Sequence, residues 1–594
     1  MKLFLIFFIN LFLIYPVSAA FENSISTSSG LAHGTKQNKI IKYEDIPYAQ
    51  PPLNDLRWKA PRKISSPVEI SPQTNNFCIQ RPSNLGGADG DNFYVGSEDC
   101  LYLDIYIPKE TINKKLPVMF WIHGGGNTSG LKDLYDFSKM VSKHDVIVVT
   151  ANYRLGPFGW FTHPAIQDYQ QGDDKTSNFG TLDLIMALRW VNENIENFNG
   201  DPKNITIFGE SAGGHNVLSL LVSQKAKGLF HKAISMSGYT TSISPDEAYN
   251  PSEKSSTYDF SSFQVVKNLT NSSKEFEDIK LNDNENIRRF LLEIPAEEFF
   301  KIYSDRKPYQ ELPLLTSDGI VIPASGLRDA LSNKDHVNIV PTIAGYNRDE
   351  VKLWLASAKY FVDVEFSFLG SVLGLPKVGL NNGDSFEAFN FYRSSAWKIR
   401  GVDEPLKSLN NAGNEDLYAY RYDWDDHRRF FVANFKQLIG AAHATEIPLL
   451  TGNMDLVGGY PLSDLLYPPS FSKRYMSKNL MKFWTNFAKT GAPGMSSNLV
   501  SWEPYLSTKQ GSYLVLDKKK NLAMKEDNVS FKSLTNKLID DNRLSKIEKC
   551  VVLLQMFTFV GDDLYDENIV NYPEKCVRGD SEQFLKDNAS YIEY

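Results

Sequence analysis

Asn204-Ile205-Thr206-Ile207-Phe208-Gly209-Glu210-Ser211-Ala212-Gly213-Gly214, followed by an apolar-periodic run from Val217 to Val222, is the stretch whose reading decides the fold. A β-branched run, a tight turn between glycines and a helical pattern read as strand, elbow and helix. Gly209 and Gly213 bracket Ser211 at G-x-S-x-G spacing, where neighbouring backbone passes too close for a Cβ. Such an elbow lifts the serine to the edge of a sheet. It also aims the amide of Ala212, in the first turn of the helix, at the place where a substrate oxygen would become an oxyanion. Ser211 is therefore the candidate nucleophile. The bland alternative is a chance glycine-serine turn, and the strand before it and helix after it argue against that.

Upstream, Pro117-Val118-Met119-Phe120-Trp121-Ile122 is continuously apolar, as expected of a strand with both faces covered, and it runs into His123-Gly124-Gly125-Gly126. Glycines at a strand's carboxyl end let backbone N–H groups turn toward a ligand, which is what the second half of an oxyanion hole requires. Val146 to Thr150 repeats the buried-strand pattern. Asp183 then opens an amphipathic helix with the stripe Leu184, Leu188, Val191 and Ile195, broken at Asn199-Gly200-Asp201-Pro202. Downstream, Ala233 to Gly238, Val337 to Gly345 and Leu417 to Tyr422 read as further strands. Residues from about 240 to 335 are polar, charged and helical in pattern, an insertion packed over the sheet. Residues 21 to about 45 read as a loosely held arm or short edge strands. Alternating strands and helices imply an α/β protein with a mostly parallel central sheet, helices on both faces and helical insertions over the active site. The ligand site belongs outside the strands' carboxyl ends, where Ser211 and the glycine run both sit.

Length and charge bound the rest. The chain has 594 residues, 42% hydrophobic and 23% charged, with a net charge of −8 and a pI near 5.7. Without a long basic run, nucleic acid is excluded as the main partner. Met1-Lys2, the apolar run Leu3 to Ile14 and Tyr15-Pro16-Val17-Ser18-Ala19-Ala20 match a signal peptide over residues 1–20, so the mature protein is expected to be secreted or periplasmic. That run is shorter than the ~20 residues a membrane span needs, and no later stretch qualifies as a transmembrane anchor. The four cysteines allow three pairings. Proximity favours Cys78 with Cys100 and Cys550 with Cys576, each closing a loop worth about 3 kcal/mol in the chain-entropy account and neither reading as a metal site. Residues 21–545 read as the catalytic domain and 546–594 as a C-terminal extension closed by the second disulfide. Asn127, Asn204, Asn268, Asn271, Asn528 and Asn588 begin N-x-S/T matches.

In sheets of this kind the nucleophile, acid and base come in the order serine, acid, histidine, so the base follows Ser211. His215 would point along its helix. His231 and His336 precede their strands, at the wrong edge of the sheet. His427, within Asp425-Asp426-His427-Arg428-Arg429, reads as a solvated turn. His443 is surrounded by Gly440, Ala441, Ala442 and Ala444, small residues that let its ring approach another loop. Glu350 or its neighbour Asp349 is placed to orient it.

Taken together, these residues closely resemble the type-B carboxylesterase family, the carboxylesterase/lipase group that includes cholinesterases. The resemblance runs from about Ile46 to Trp484. It rests on Ser97-Glu98-Asp99-Cys100-Leu101-Tyr102-Leu103, His123-Gly124-Gly125-Gly126, Gly209-Glu210-Ser211-Ala212-Gly213-Gly214, Asn347-Arg348-Asp349-Glu350 and His443-Ala444-Thr445-Glu446-Ile447-Pro448. It implies an α/β-hydrolase fold, a triad of Ser211, Glu350 and His443, and an oxyanion hole from the amides of Gly125, Gly126 and Ala212. It also implies ion pairs Arg57–Glu98 and Arg154–Asp183, and supports the Cys78–Cys100 bridge. The implied activity is hydrolysis of small-molecule carboxylic esters through an acyl-enzyme, with no cofactor; the oligomeric state stays open. Asn127, Val351 and His215 depart from the family's usual pattern, which bears on the pocket's shape. The rival expectation from another class is a cholinesterase-like adhesion domain, in which the fold presents a surface and performs no chemistry.

Overall fold

In the computed structural model the structure describes residues 23–558, apart from 74–75, 84–85, 111–114, 254, 273–280, 305, 307–309, 366–376, 431–432, 455–461 and 509–510, together with 584 and 587–591. The expected signal peptide, and Cys576 of the second expected disulfide, lie outside the described residues. Cys550 is buried on a helix, and Cys78 is disulfide-bonded to Cys100.

Twelve strands make one sheet. In chain order they are β1 (Ser24–Ser26), β2 (Leu31–Gln37), β3 (Ile40–Pro47), β4 (Tyr102–Pro108), β5 (Leu116–Ile122), β6 (Ile147–Ala151), β7 (Gly200–Glu210), β8 (Lys232–Met236), β9 (Thr342–Asn347), β10 (Leu417–Tyr422), β11 (Ser512–Leu516) and β12 (Ala523–Glu526). Across the sheet the order is β1-β2-β3-β4-β6-β5-β7-β8-β9-β10-β11-β12. Every neighbouring pair from β6 to β11 is parallel, and antiparallel strands finish both edges. The arm expected at residues 21 to 45 is thus an antiparallel edge of the sheet.

The unbroken apolar strands are explained by what covers them. Along β5, Val118, Phe120 and Ile122 join one core with Leu184 and Leu188 of helix α1 (Phe179–Asn194) and Val217 and Leu221 of α2 (Ala212–Val222). Met119 and Trp121, on the opposite face, join Leu480, Phe483 and Trp484 of α4 (Phe471–Thr490). The period-two alternation is present but both partners are apolar, because helices cover both faces. Two further hydrophobic clusters join these. One packs α3 (Gly383–Lys398) against α5 (Lys546–Thr558), with Phe386 and Phe389 against Val552 and Met556. The other seats Val265, Phe290 and Phe299 of the insertion on Trp58 and Phe158.

Of the element boundaries that differ from expectation, two have a clear physical cause. α1 begins at Phe179, and Asp183 is a buried ion-pair partner within it: its carboxylate takes Nε and Nη2 of Arg154 at 2.8 and 2.7 Å. β9 begins at Thr342, not Val337. Pro341 has no N–H for the ladder, and Asn338 instead donates to the carbonyls of Leu220 and Ser223 at the end of α2. The Arg57–Glu98 pair is present and two-pronged, at 2.7 and 2.6 Å. Among the described residues no helix is long and apolar enough to cross a membrane.

Candidate active site

The sheet order reverses around β5, since β6 lies on one side of it and β7 on the other. A crevice opens at the carboxyl ends of such a switch point, and the register Ile122↔Gly209 brings the loops after β5 and β7 out side by side. Ser211 turns there with φ 60° and ψ −122°, a strained conformation for a residue with a side chain. Gly213 shows what holds it: a Cβ on Gly213 would stand 2.0 Å from the carbonyl oxygen of Ile122. Gly124 also runs close to the elbow, its position for a Cβ lying 3.1 Å from the Cβ of Ser211. Gly125 at φ +98° and Gly126 at φ +63° turn the next peptides through the left-handed region. Ala212 is the first residue of α2, whose first-turn amides have no acceptor within the helix. The glycine loop after β5 and the first turn of α2 thus meet at one serine.

Asn127, which follows the glycines, does not face the cleft. It is fully buried at φ 58°, and its Oδ1 accepts from Asn216 Nδ2 at 2.8 Å and Tyr153 OH at 3.3 Å. Its amide therefore braces the glycine loop from behind.

His443 comes from a loop after β10, and Glu350 follows β9. Nδ1 of His443 lies 2.6 Å from Glu350 Oε2, a bond that orients the ring and leaves Nε2 toward the elbow. There Nε2 is 3.1 Å from Oε1 of Glu210, the residue before Ser211. The rings of Trp397 and Trp354 pack against the imidazole at 4.8 and 5.1 Å. Asp349, the other candidate acid, holds the loop instead of the ring. Its Oδ2 accepts from the amide of Ala441 at 2.9 Å and from Arg348 at 2.6 Å, and its Oδ1 accepts from Asn390 at 2.7 Å. The histidine's loop is also held by the backbone bonds Asp349 N to Ala441 O and His443 N to Glu350 O.

His427 is not a solvated turn. It is buried, and its Nε2 lies 2.7 Å from the carbonyl of Gly440, three residues before His443. The aspartates and arginines around it in sequence give the segment a polar composition, so local polarity concealed a buried ring. His215 is buried with Nε2 2.9 Å from the carbonyl of Thr241, while His231 accepts from the amide of Ile205, before the elbow end of β7.

Glu210 and Glu446 carry no role in the sequence reading, yet both act on His443. Glu446 accepts from Asn347 Nδ2 at 2.5 Å, and Asn347 also donates to the carbonyl of Ala442. Burial pushes the Glu210 carboxyl up to about 7 and the Glu446 carboxyl up to about 8. Burial alone would lower the imidazole of His443, but the carboxylates of Glu210 and Glu350 outweigh it and raise it to about 9. The sequence signal was position: Glu210 directly precedes the nucleophile and Glu446 stands three residues after the base.

Among the described residues, Asp45, Asp104 and Asp133 come close enough to share a cation. Their centre is filled by the Lys132 ammonium, 2.7 Å from Asp45 and 2.8 Å from both Asp104 and Asp133. This is a buried ion network and not a cofactor site.

A model of the carboxylesterase family matches residues 22–366 and 394–532. The para-nitrobenzyl esterase of Bacillus subtilis (strain 168) is 32% identical over 500 residues, covering 81% of this chain and 92% of that protein. Carboxylesterase 5A of Homo sapiens is 30% identical over 521 residues, covering 83% and 85%. Among solved structures, a PNB esterase aligns with a TM-score of 0.62 at 26% identity, covering 86% of this chain and 99% of that one. A Geobacillus stearothermophilus carboxylesterase aligns with a TM-score of 0.62 at 25% identity, covering 85% and 98%.

Proposed function

The chain belongs to the carboxylesterase family and is a hydrolase of carboxylic ester bonds; from that premise we propose that it is an exported serine esterase working through an acyl-enzyme, with Ser211 as nucleophile, His443 as base and Glu350 as the acid that orients it. The observation that carries the reading is the 2.6 Å bond from His443 Nδ1 to Glu350, which leaves Nε2 facing the serine elbow. In the first half-reaction Ser211 Oγ attacks the ester carbonyl while His443 Nε2 takes its proton. The amides of Gly125, Gly126 and Ala212 bind the oxyanion, the C–O bond breaks, and the alcohol leaves with the proton from His443. In the second half-reaction water replaces the alcohol and the same groups act in the same order, releasing the acid and restoring Ser211.

Export is supported by the charged, apolar and small-residue order of residues 1–20 and by the Cys78–Cys100 disulfide, since disulfides persist in oxidising compartments. The substrate is a small-molecule ester. The adhesion-domain reading is not favoured by any feature of the site. The direct test is hydrolysis of p-nitrophenyl esters of increasing acyl length by the wild-type and Ser211→Ala proteins. The variant is expected to fold and to lose at least ~10⁴-fold in kcat. Full hydrolysis by Ser211→Ala would remove the serine mechanism.

A further inference from the structure

One residue of the elbow helix is not used by the mechanism. His215 lies one turn after Ser211, and its amide donates to the Ser211 carbonyl at 2.9 Å. Its ring is 2% exposed. The Thr241 carbonyl can only accept, so the proton sits on Nε2. Burial holds the imidazole down to about 4, so the ring is neutral and offers a flat face. Tyr239 stacks on that face, with centroids 4.4 Å apart and planes 13° apart. Tyr239 follows Gly238, whose backbone is pressed against Gly214: a Cβ on Gly238 would lie 2.8 Å from the carbonyl carbon of Gly214. The tyrosine is thus pinned beside the serine elbow by the backbone below it and the histidine behind it.

The ring does not stand alone. Tyr239 meets Trp397 edge-on at 6.4 Å. Trp397 stacks on Trp354 at 5.9 Å and 18°, and both tryptophans contact His443. Trp397 is fixed by its Nε1, which donates to the carbonyls of Ser237 and Gly238 at 3.0 and 3.1 Å. Trp397 is buried, whereas Tyr239 and Trp354 are only half-buried and keep part of their surface open. The result is a continuous run of rings from the helix behind Ser211 to the imidazole of His443.

We propose that His215 and Tyr239, with Trp354 and Trp397, form an aromatic wall of the substrate cleft that selects esters carrying a flat aromatic ring. This rests on the serine-esterase reading above and names the substrate class of that site. His215 acts as a positioning residue, and Tyr239 is the specificity-determining one. A planar ring can lie offset or edge-on against the fixed faces, which a saturated ring of similar volume cannot do as well. His215 stands where the family's usual pattern has a small residue, and its ring here backs Tyr239.

The test compares matched flat and saturated esters: phenylacetyl against cyclohexylacetyl p-nitrophenyl esters, and benzyl against cyclohexylmethyl acetate. The readout is the flat-to-saturated ratio of kcat/KM in each variant relative to wild type, so that differences in intrinsic reactivity cancel. In at least one series Tyr239→Leu is expected to lower the ratio about fivefold, the size of one aromatic pair. Tyr239→Phe is expected to retain the ratio, and His215→Ala to lower it in the same direction. Trp354→Leu provides a second arm should Tyr239→Leu fail to fold, with the same direction expected. Ratios within twofold of wild type in both series, in an enzyme that hydrolyses the esters, would overturn the wall alone. Absence of Ser211-dependent hydrolysis in the wild-type enzyme would overturn the esterase reading and the wall with it.

Discussion

Two adjacent carboxylates serve the same loop in different ways, and replacing each by its amide separates them. Glu350 holds the ring of His443 through one short bond, 2.6 Å to Nδ1. An amide in its place can turn its NH₂ toward Nδ1 and hold the imidazole in the wrong tautomer, so Glu350→Gln is expected to lower kcat by about 10³ to 10⁴. Asp349 is 5% exposed and makes no bond to the ring. It receives Arg348 through Nη2 and Nε at 2.6 and 3.0 Å, the Ala441 amide at 2.9 Å and Asn390 at 2.7 Å. In Asp349→Asn the side-chain amide would keep one oxygen for the Ala441 N–H and lose the charge that faces Arg348. At roughly 1.5–3 kcal/mol for hydrogen bonds to a charged group, and with Arg348 about one-third exposed, the expected cost is about 2 to 3 kcal/mol of stability. Because the loop is also held by its backbone bonds to Asp349 and Glu350, kcat should fall by less than about tenfold. The assays are kcat on p-nitrophenyl butyrate and the urea midpoint of each variant. A larger kcat loss in Asp349→Asn than in Glu350→Gln would refute the division of roles.

Other outcomes follow from the same geometry. His443 must be neutral to take a proton, and with its folded-state pKa raised to about 9 the neutral fraction grows with pH up to that value. Between pH 7 and 9 kcat/KM should therefore keep rising, whereas with an ordinary imidazole it would level off soon after pH 7. Glu210→Gln removes an attracting charge 3.1 Å from Nε2 and should move that limb down by about 1 to 3 units; a limb that does not move would show that Glu210 is not felt by the base. Gly213→Ala puts a methyl 2.0 Å from the Ile122 carbonyl, so loss of about 3 kcal/mol or failure to express folded protein is expected, read from thermal unfolding and yield. Choline esters should be poor substrates. The Cys78–Cys100 loop has no tryptophan, Phe93 is 40% exposed, and Tyr94 is tied to Glu297 through its hydroxyl at 2.9 Å. A tenfold preference for butyrylthiocholine over an uncharged butyryl thioester would reveal a cation site.

The elements that build the site were legible because each leaves a local mark. The strand Pro117 to Ile122 is apolar on both faces, and the elbow needs glycine where a Cβ would meet backbone at 2.0 Å. His443 was legible by its small neighbours. What stayed hidden depends on partners distant in the chain. Nothing near His427 foretells that its ring reaches Gly440, since Asp425, Asp426, Arg428 and Arg429 give the segment the composition of a surface turn. Asp183 looked like a helix start because Asp favours that position, while in the fold it is consumed by Arg154. Asn127 looked like a pocket residue by sequence position, and only its left-handed φ turns it inward. Glu210 and Glu446 sit at positions whose side chains the serine and histidine motifs leave unassigned, and their effect on His443 appears only when three buried carboxylates converge on one imidazole.

The central claim is that one serine performs the chemistry, and the measurement that tests it most directly is stoichiometric phosphorylation. Wild-type enzyme is titrated with diethyl p-nitrophenyl phosphate, the residual esterase activity is followed, and the modified residue is mapped by peptide mass spectrometry. The expected result is one diethylphosphoryl group per chain, carried by Ser211, with activity falling in proportion and no uptake by Ser211→Ala. Retained activity in a chain fully modified at Ser211, or activity lost while the label sits on another residue, would contradict the account.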